Sequence, residues 1–229
     1  MEWYSTQMPR SRGLDTSPAP AGGRPTPLRQ AQSSLSRDLV VRAADRLFRE
    51  NGYVGTSIAA IARDAGVAVQ TVYNAVGSKV DILSAVLDLH AQGPEAPRSV
   101  PEFLAERSAL AIDLEALLDV LADWFVAVHE RTAETVAIIR QAAAVDPAAA
   151  GLERARAARR RANYLKAAAE FRSRGSIPPG RSDADVAALI FALGHPEVYR
   201  ALVLEGEWSV AQYRAWLRAG LASAITGMR

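Results

Sequence analysis

The sequence predicts an all-α protein, and three observations carry that prediction. From Arg37 onward alanine and leucine dominate, and few segments show the β-branched alternation of a strand. Apolar residues recur at three- and four-residue spacing, as in Leu39, Val40, Ala43, Ala44, Leu47 and Phe48. The breaks between such stretches carry glycine or proline, and Ser, Thr or Asp stands where several helices begin. The layout expected is an N-terminal three-helix helix-turn-helix unit followed by a C-terminal helical bundle.

Residues 1–35 hold Pro9, Pro18, Pro20, Pro25 and Pro27 among glycines and serines, without periodicity, and are expected to form a disordered basic arm. The first helix starts near Arg37 and stops at Asn51-Gly52, residues that tolerate the left-handed conformation. Thr56 or Ser57 caps a short second helix that ends before Gly66. A third runs over about Val69–Ala75. Ser78 and Asp81 form a capping box for a fourth, whose apolar stripe is Ile82, Leu83, Val86 and Leu89. The unit 36–91 then gives way to a proline-rich linker at Gln92–Pro101. The remainder, 92–229, reads as helices near 102–111, 113–131, 133–145, 148–174, 183–193, 196–205 and 209–226. Ser182 with Asp185 and Ser209 with Gln212 are further capping boxes.

Composition narrows the functional classes. The chain has 229 residues with a formal net charge of only +2, which excludes a polycation and an acidic tail. Its 27 basic residues include just two lysines, Lys79 and Lys166, so 25 are arginines. Residues 1–37 carry a net +3, whereas residues 38–90 carry a net −1. With no cysteine there is no disulfide and no thiolate chemistry. His90, His129 and His195 lack metal-ligand spacing, so no metal and no cofactor is expected. No Gly-rich phosphate loop, nucleophile elbow or His-Glu-x-x-His occurs, so an enzyme is not expected. Residues 1–35 lack the apolar core of a signal peptide. The longest apolar stretch, near Val186–Leu193, is too short to span a bilayer, and a soluble cytoplasmic protein is expected.

The informative stretch is Ser57–Val76. A helix-turn-helix needs a small residue where its helices meet, a turn residue tolerant of positive φ, and an apolar anchor on the second helix. Ala62, Gly66 and Val72 supply these at the motif's offsets. Around them stand Ala43-Ala44, Leu47-Phe48, Gly52-Tyr53, Thr56-Ser57-Ile58, Ile61-Ala62, Ala65-Gly66-Val67, Thr71-Val72-Tyr73, Ser78-Lys79 and Ile82-Leu83. This string resembles the DNA-binding domain of the tetracycline-repressor-like (TetR) family over about one fifth of the chain. Two positions depart from the family pattern: Ala68 replaces the usual Ser or Thr, and Ala75-Val76 replaces an aromatic pair.

Roles follow from how the motif docks, its second helix presenting N-terminal residues to the major groove. Gln70 and Thr71 are expected to read bases, and Val69 to meet a thymine methyl. Asn74 is a candidate for either base or phosphate. The resemblance implies phosphate contacts for Tyr73 and Lys79. Thr56 and Ser57, at a helix N-terminus, are further phosphate candidates, and Arg37 is expected to track the DNA backbone or minor groove.

For the C-terminal part the resemblance implies a homodimer through the last two helices and a pocket for a small-molecule effector. Trp124, Phe125, His129, Arg140 and Tyr164 are the effector-binding candidates. The expected partners are pseudo-palindromic double-stranded DNA, a second copy of the chain and an effector, with no membrane. The reading is a repressor released from its operator by that effector. The alternative is a ligand-binding or protein-interaction module whose helix-turn-helix has become vestigial.

Overall fold

The computed structural model describes residues 27–92 and 113–227, and every element in them is helical. The elements are α1 (Pro27–Gly55), α2 (Ile58–Asp64), α3 (Val69–Ala75), α4 (Lys79–Gln92), α5 (Leu114–Ala143), α6 (Pro147–Ser173), α7 (Asp183–Leu193), α8 (Pro196–Tyr199) and α9 (Val210–Thr226). A π-helical turn, Arg200–Glu205, extends α8. The linker expected after Gln92 and the helix expected near 102–111 lie outside the described residues, as does the arm up to residue 26.

Three boundaries differ from the sequence reading. Helix α1 begins at Pro27, inside the segment 1–35 expected to lack structure. Pro27 takes the first helical position, where its missing N–H costs nothing. Residues 28–36 contain no further proline or glycine. Residues 31–35 are exposed all round, so no apolar stripe advertises the helix. Second, the helices expected at 113–131 and 133–145 are one helix, α5. Thr132 continues the helix, its hydroxyl donating back to the Val128 carbonyl at 2.7 Å rather than out of the helix. Third, the helix expected at 196–205 changes to π geometry after Tyr199.

The capping signals hold. Ser57 accepts from the Ala60 amide, and Ser182/Asp185 and Ser209/Gln212 form reciprocal capping boxes. Ser78 and Asp81 also bond reciprocally at the start of α4. Gly52 interrupts α1 at φ +68°.

Two apolar cores organise the chain. The C-terminal one joins Leu117, Leu121 and Phe125 of α5 to Phe171 of α6, Ile190 of α7 and Leu217 of α9. The N-terminal one is built on Phe48, Ile61, Val72 and Leu83, but α1–α4 do not complete it alone. Ile138, Ile139 and Ala142 of α5 and Ala149 of α6 are buried in it. Helix α5 thus runs from one core into the other. Polar links follow the same seam: Arg49 bonds Glu134 at 2.6 Å, and Arg156 bonds Asp88 at 2.8 Å.

Candidate nucleic-acid interface

The reading head is set by a tight turn between α2 and α3. Gly66 adopts φ +68°, the left-handed region that disfavours side chains. The Val67 amide donates to the Ala62 carbonyl at 2.9 Å, closing the turn. Ala62 and Val72 are buried, so α3 is pinned by its inner face. The outer face is left to solvent: Val69 is 42% exposed and Tyr73 48% exposed, and Gln70 and Asn74 are exposed beside them. Thr71 is half-buried. Gln70 Nε2 donates to Asn74 Oδ1 at 3.0 Å. That bond uses one of two amide protons, so Gln70 keeps a donor and an acceptor for bidentate contact with adenine. Ala68 stands at the N-cap of α3 without a side-chain cap bond, so the start of the helix leaves amides for another acceptor.

Ser57 is exposed, and its oxygen accepts from the Ala60 amide at 3.0 Å. Its own hydroxyl proton remains available. Thr56 is different and corrects the sequence reading. It is 2% exposed, and its hydroxyl points to the Leu47 and Gly52 carbonyls at 3.0 and 2.8 Å. Thr56 therefore closes the end of α1, and its side chain is turned away from the outer face. Arg37 is also placed differently from the expected free arm. Its guanidinium donates to the Ala75 carbonyl at 3.3 Å, tying α1 to the end of the recognition helix. Beside it lies a surface cavity of about 300 Å³ lined by Arg37, Asp38, Val41, Arg42, Ala85, Asp88 and Leu89.

Lys79 begins α4 at the edge of this face. Its ammonium lies 4.1 Å from the centroid of the Tyr53 ring. Burial lowers its pKa, partly opposed by Asp146. The Tyr53 hydroxyl donates to Asp146 Oδ2 at 2.6 Å, and Asp146 Oδ1 accepts from the Ala148 amide as the N-cap of α6. The sequence reading missed this chain of contacts. Asp146-Pro147 does show a helix start, but its partner lies 93 residues away.

In the C-terminal core, four of the five effector candidates come together. The Phe125 ring meets Trp124 at 5.1 Å, His129 at 5.7 Å and Tyr164 at 5.7 Å. Phe125, His129 and Tyr164 are buried. His129 Nδ1 lies 3.0 Å from the Tyr213 hydroxyl, and the ring also meets the Gly194 backbone. Burial pushes its pKa down to about 4, so the neutral imidazole is the packed form. Arg140 does not join this cluster; it is exposed and ion-pairs with Glu197.

An all-helical chain with an exposed recognition helix on a buried turn, joined through α5 to a larger helical body, is the build of a helix-turn-helix regulator. Residues 40–86 match the family of bacterial regulatory proteins, tetR family. Solved structures share the fold across both parts. A TetR-family regulator from Rhodococcus sp. superposes with a TM-score of 0.65 at 19% identity, covering 84% of this chain and 99% of that one. NalD of Pseudomonas aeruginosa, the secondary repressor of the MexAB-OprM multidrug efflux pump, gives 0.64 at 20% identity, covering 84% and 98%. A TetR-family regulator from Mesorhizobium loti gives 0.62 at 20% identity, covering 86% and 98%. No curated protein matches the chain.

Proposed function

We propose that the protein is a homodimeric repressor that binds a pseudo-palindromic operator and leaves it when a small-molecule effector binds its C-terminal domain. The observation that carries the DNA-binding half is the polar outer face of α3, Gln70, Tyr73 and Asn74, held rigidly by the buried Ala62 and Val72. Gln70 and Thr71 read bases, with Val69 against a thymine methyl and Asn74 beside them. Tyr73, Ser57 and Lys79 contact phosphates. To do so Lys79 lifts from the Tyr53 ring.

Dimerisation is supported by apolar surface that the described residues do not cover. Within Asp183–Glu205 an 18-residue window has a mean hydropathy of 1.3, yet only 28% of that window is buried. By length and composition alone it passes for a membrane-crossing helix, but Gly194 and His195 break it between α7 and α8. Leu189 and Leu204 are exposed, with Leu193 and Trp216 partly so. A second copy packed on α7 and α9 buries these residues and sets two recognition helices about one DNA turn apart.

Effector release is supported by α5, whose two ends lie in the two cores. A ligand shifts DNA affinity only by its differential affinity for the two arrangements.

The test is selection of genomic DNA on the purified protein followed by gel-shift titration at moderate salt. A sequence-specific complex weakened by both Gln70→Ala and Lys79→Ala supports the reading. No specific complex, with neither substitution changing DNA binding, supports the alternative of a ligand-binding or protein-interaction module with a vestigial helix-turn-helix. Sedimentation at micromolar concentration showing only monomer defeats the dimer.

A further inference from the structure

We infer that Arg160 on α6, its guanidinium against the Phe191 ring and without an ion pair among the described residues, anchors a small organic anion with a flat apolar body. The inference rests on the effector reading above and adds the chemical class of that effector.

Several arginines of the C-terminal body are matched to acids. Arg172 pairs with Asp183, Arg214 with Asp119 and Asp123, Arg218 with Glu115 and Asp119, and Arg140 with Glu197. Arg160 forms no ion pair among the described residues, and its Nε is buried without a hydrogen-bond partner. Arg160 is half-buried, and even partial desolvation of a cation is costly unless an anion meets it. Burial pulls its pKa down, the direction for a desolvated cation. Glu153 favours its charge, whereas Arg156 and Arg161 on the same helix oppose it.

Its surroundings are aromatic and positive. The Arg160 and Arg161 guanidinium carbons lie 5.8 and 5.5 Å from the Phe191 ring centroid. The same ring meets Tyr164 at 6.2 Å and His195 at 5.6 Å. Burial first, then the charges of Arg160 and Arg140, lower the pKa of His195, so positive potential reaches the start of α8. A carboxylate matches the planar fork of Arg160, and a flat apolar body matches the rings beside it.

The test uses the full-length protein and four probes: benzoate, 2-naphthoate and their two carboxamides. Calorimetry without DNA reads binding, and thermal melting reads folding. At least one carboxylate is expected to bind, and its carboxamide to bind at least tenfold more weakly. Arg160→Gln should lose carboxylate affinity roughly ten- to hundredfold, the worth of a charged hydrogen bond. Its melting temperature without ligand should equal or exceed that of the parent. Arg160→Lys, a second variant in case the first does not fold, should fall between the two. Binding of neither carboxylate, equal binding of acid and amide, or undiminished carboxylate binding by a folded variant overturns the inference. A gel shift with the bound carboxylate separates the two readings. Binding that depends on Arg160 but leaves the DNA complex intact keeps the anion site and removes the effector role. Release of DNA by a carboxamide from the Arg160→Gln protein keeps the effector role and removes the anion site.

Discussion

Tyr53 and Asp146 join the DNA-reading unit to the α5–α6 corner through one hydroxyl-carboxylate hydrogen bond of 2.6 Å. The same tyrosine ring carries the Lys79 ammonium, and the same carboxylate caps α6. A phosphate that draws Lys79 away removes a cation from the ring and from the neighbourhood of Asp146.

The Tyr53 hydroxyl, then the Ala148 amide, hold the Asp146 carboxyl below its ordinary pKa. Its stabilisation is complete above the ordinary value, about 3.9. It is lost as pH falls through the depressed one. Tyr53→Phe keeps the ring under Lys79 and removes the hydroxyl. Urea unfolding from pH 7 down to 3 should then show a shallower acid limb than the parent. An unchanged limb sinks the link.

Thr56→Val tests whether that side chain serves the fold or the DNA. The buried hydroxyl shares its one proton between the Leu47 and Gly52 carbonyls. The substitution should cost about 1–2 kcal/mol of stability by denaturant titration. Operator affinity per folded molecule, measured by gel shift, should stay within about twofold of the parent. A large loss of affinity in folded protein would return Thr56 to the interface.

His129 predicts a second pH dependence. The unfolded imidazole titrates near 6.5 and the folded one at about 4, so the unfolded chain binds the extra proton between them. Stability should therefore be full above pH 6.5 and fall by roughly 3 kcal/mol towards pH 4. His129→Gln should flatten this limb. A parent protein equally stable at pH 7 and pH 5 contradicts the assignment.

Gly194 is required by contact rather than by backbone conformation. A methyl group there would overlap the Phe125 ring. Gly194→Ala should lower stability by about 1–3 kcal/mol. Adding Phe125→Leu to that chain should cost less than the sum of the two single changes. Additive losses in thermal unfolding would show that the two residues do not press on each other.

Much of the fold was legible because its signals are short-range. Ser57, Ser78, Ser182 and Ser209 cap helices through partners three residues on, a distance a sequence displays directly. The apolar stripes that became the buried faces of α1 and α4 are equally local. What misled the reading was also local. The start of α1 has no apolar stripe to reveal it, and Thr132 is a weak helix former that stays helical, its hydroxyl bonded within its own helix.

By itself the sequence determined that this chain is helical, where most helices start and stop, and that Ala62, Gly66 and Val72 make a reading head. It displayed Gln70, Thr71 and Asn74 as chemistry available to DNA. Only the tertiary structure decided that Thr56 turns inward, that Arg37 is spent on the Ala75 carbonyl, and that Tyr53 finds Asp146. It alone left Arg160 against the Phe191 ring without an ion pair among the described residues. The physical reason is range. Caps and stripes are contests within one or two turns of chain, whereas a buried hydroxyl or guanidinium takes its partner from whatever helix packing brings beside it.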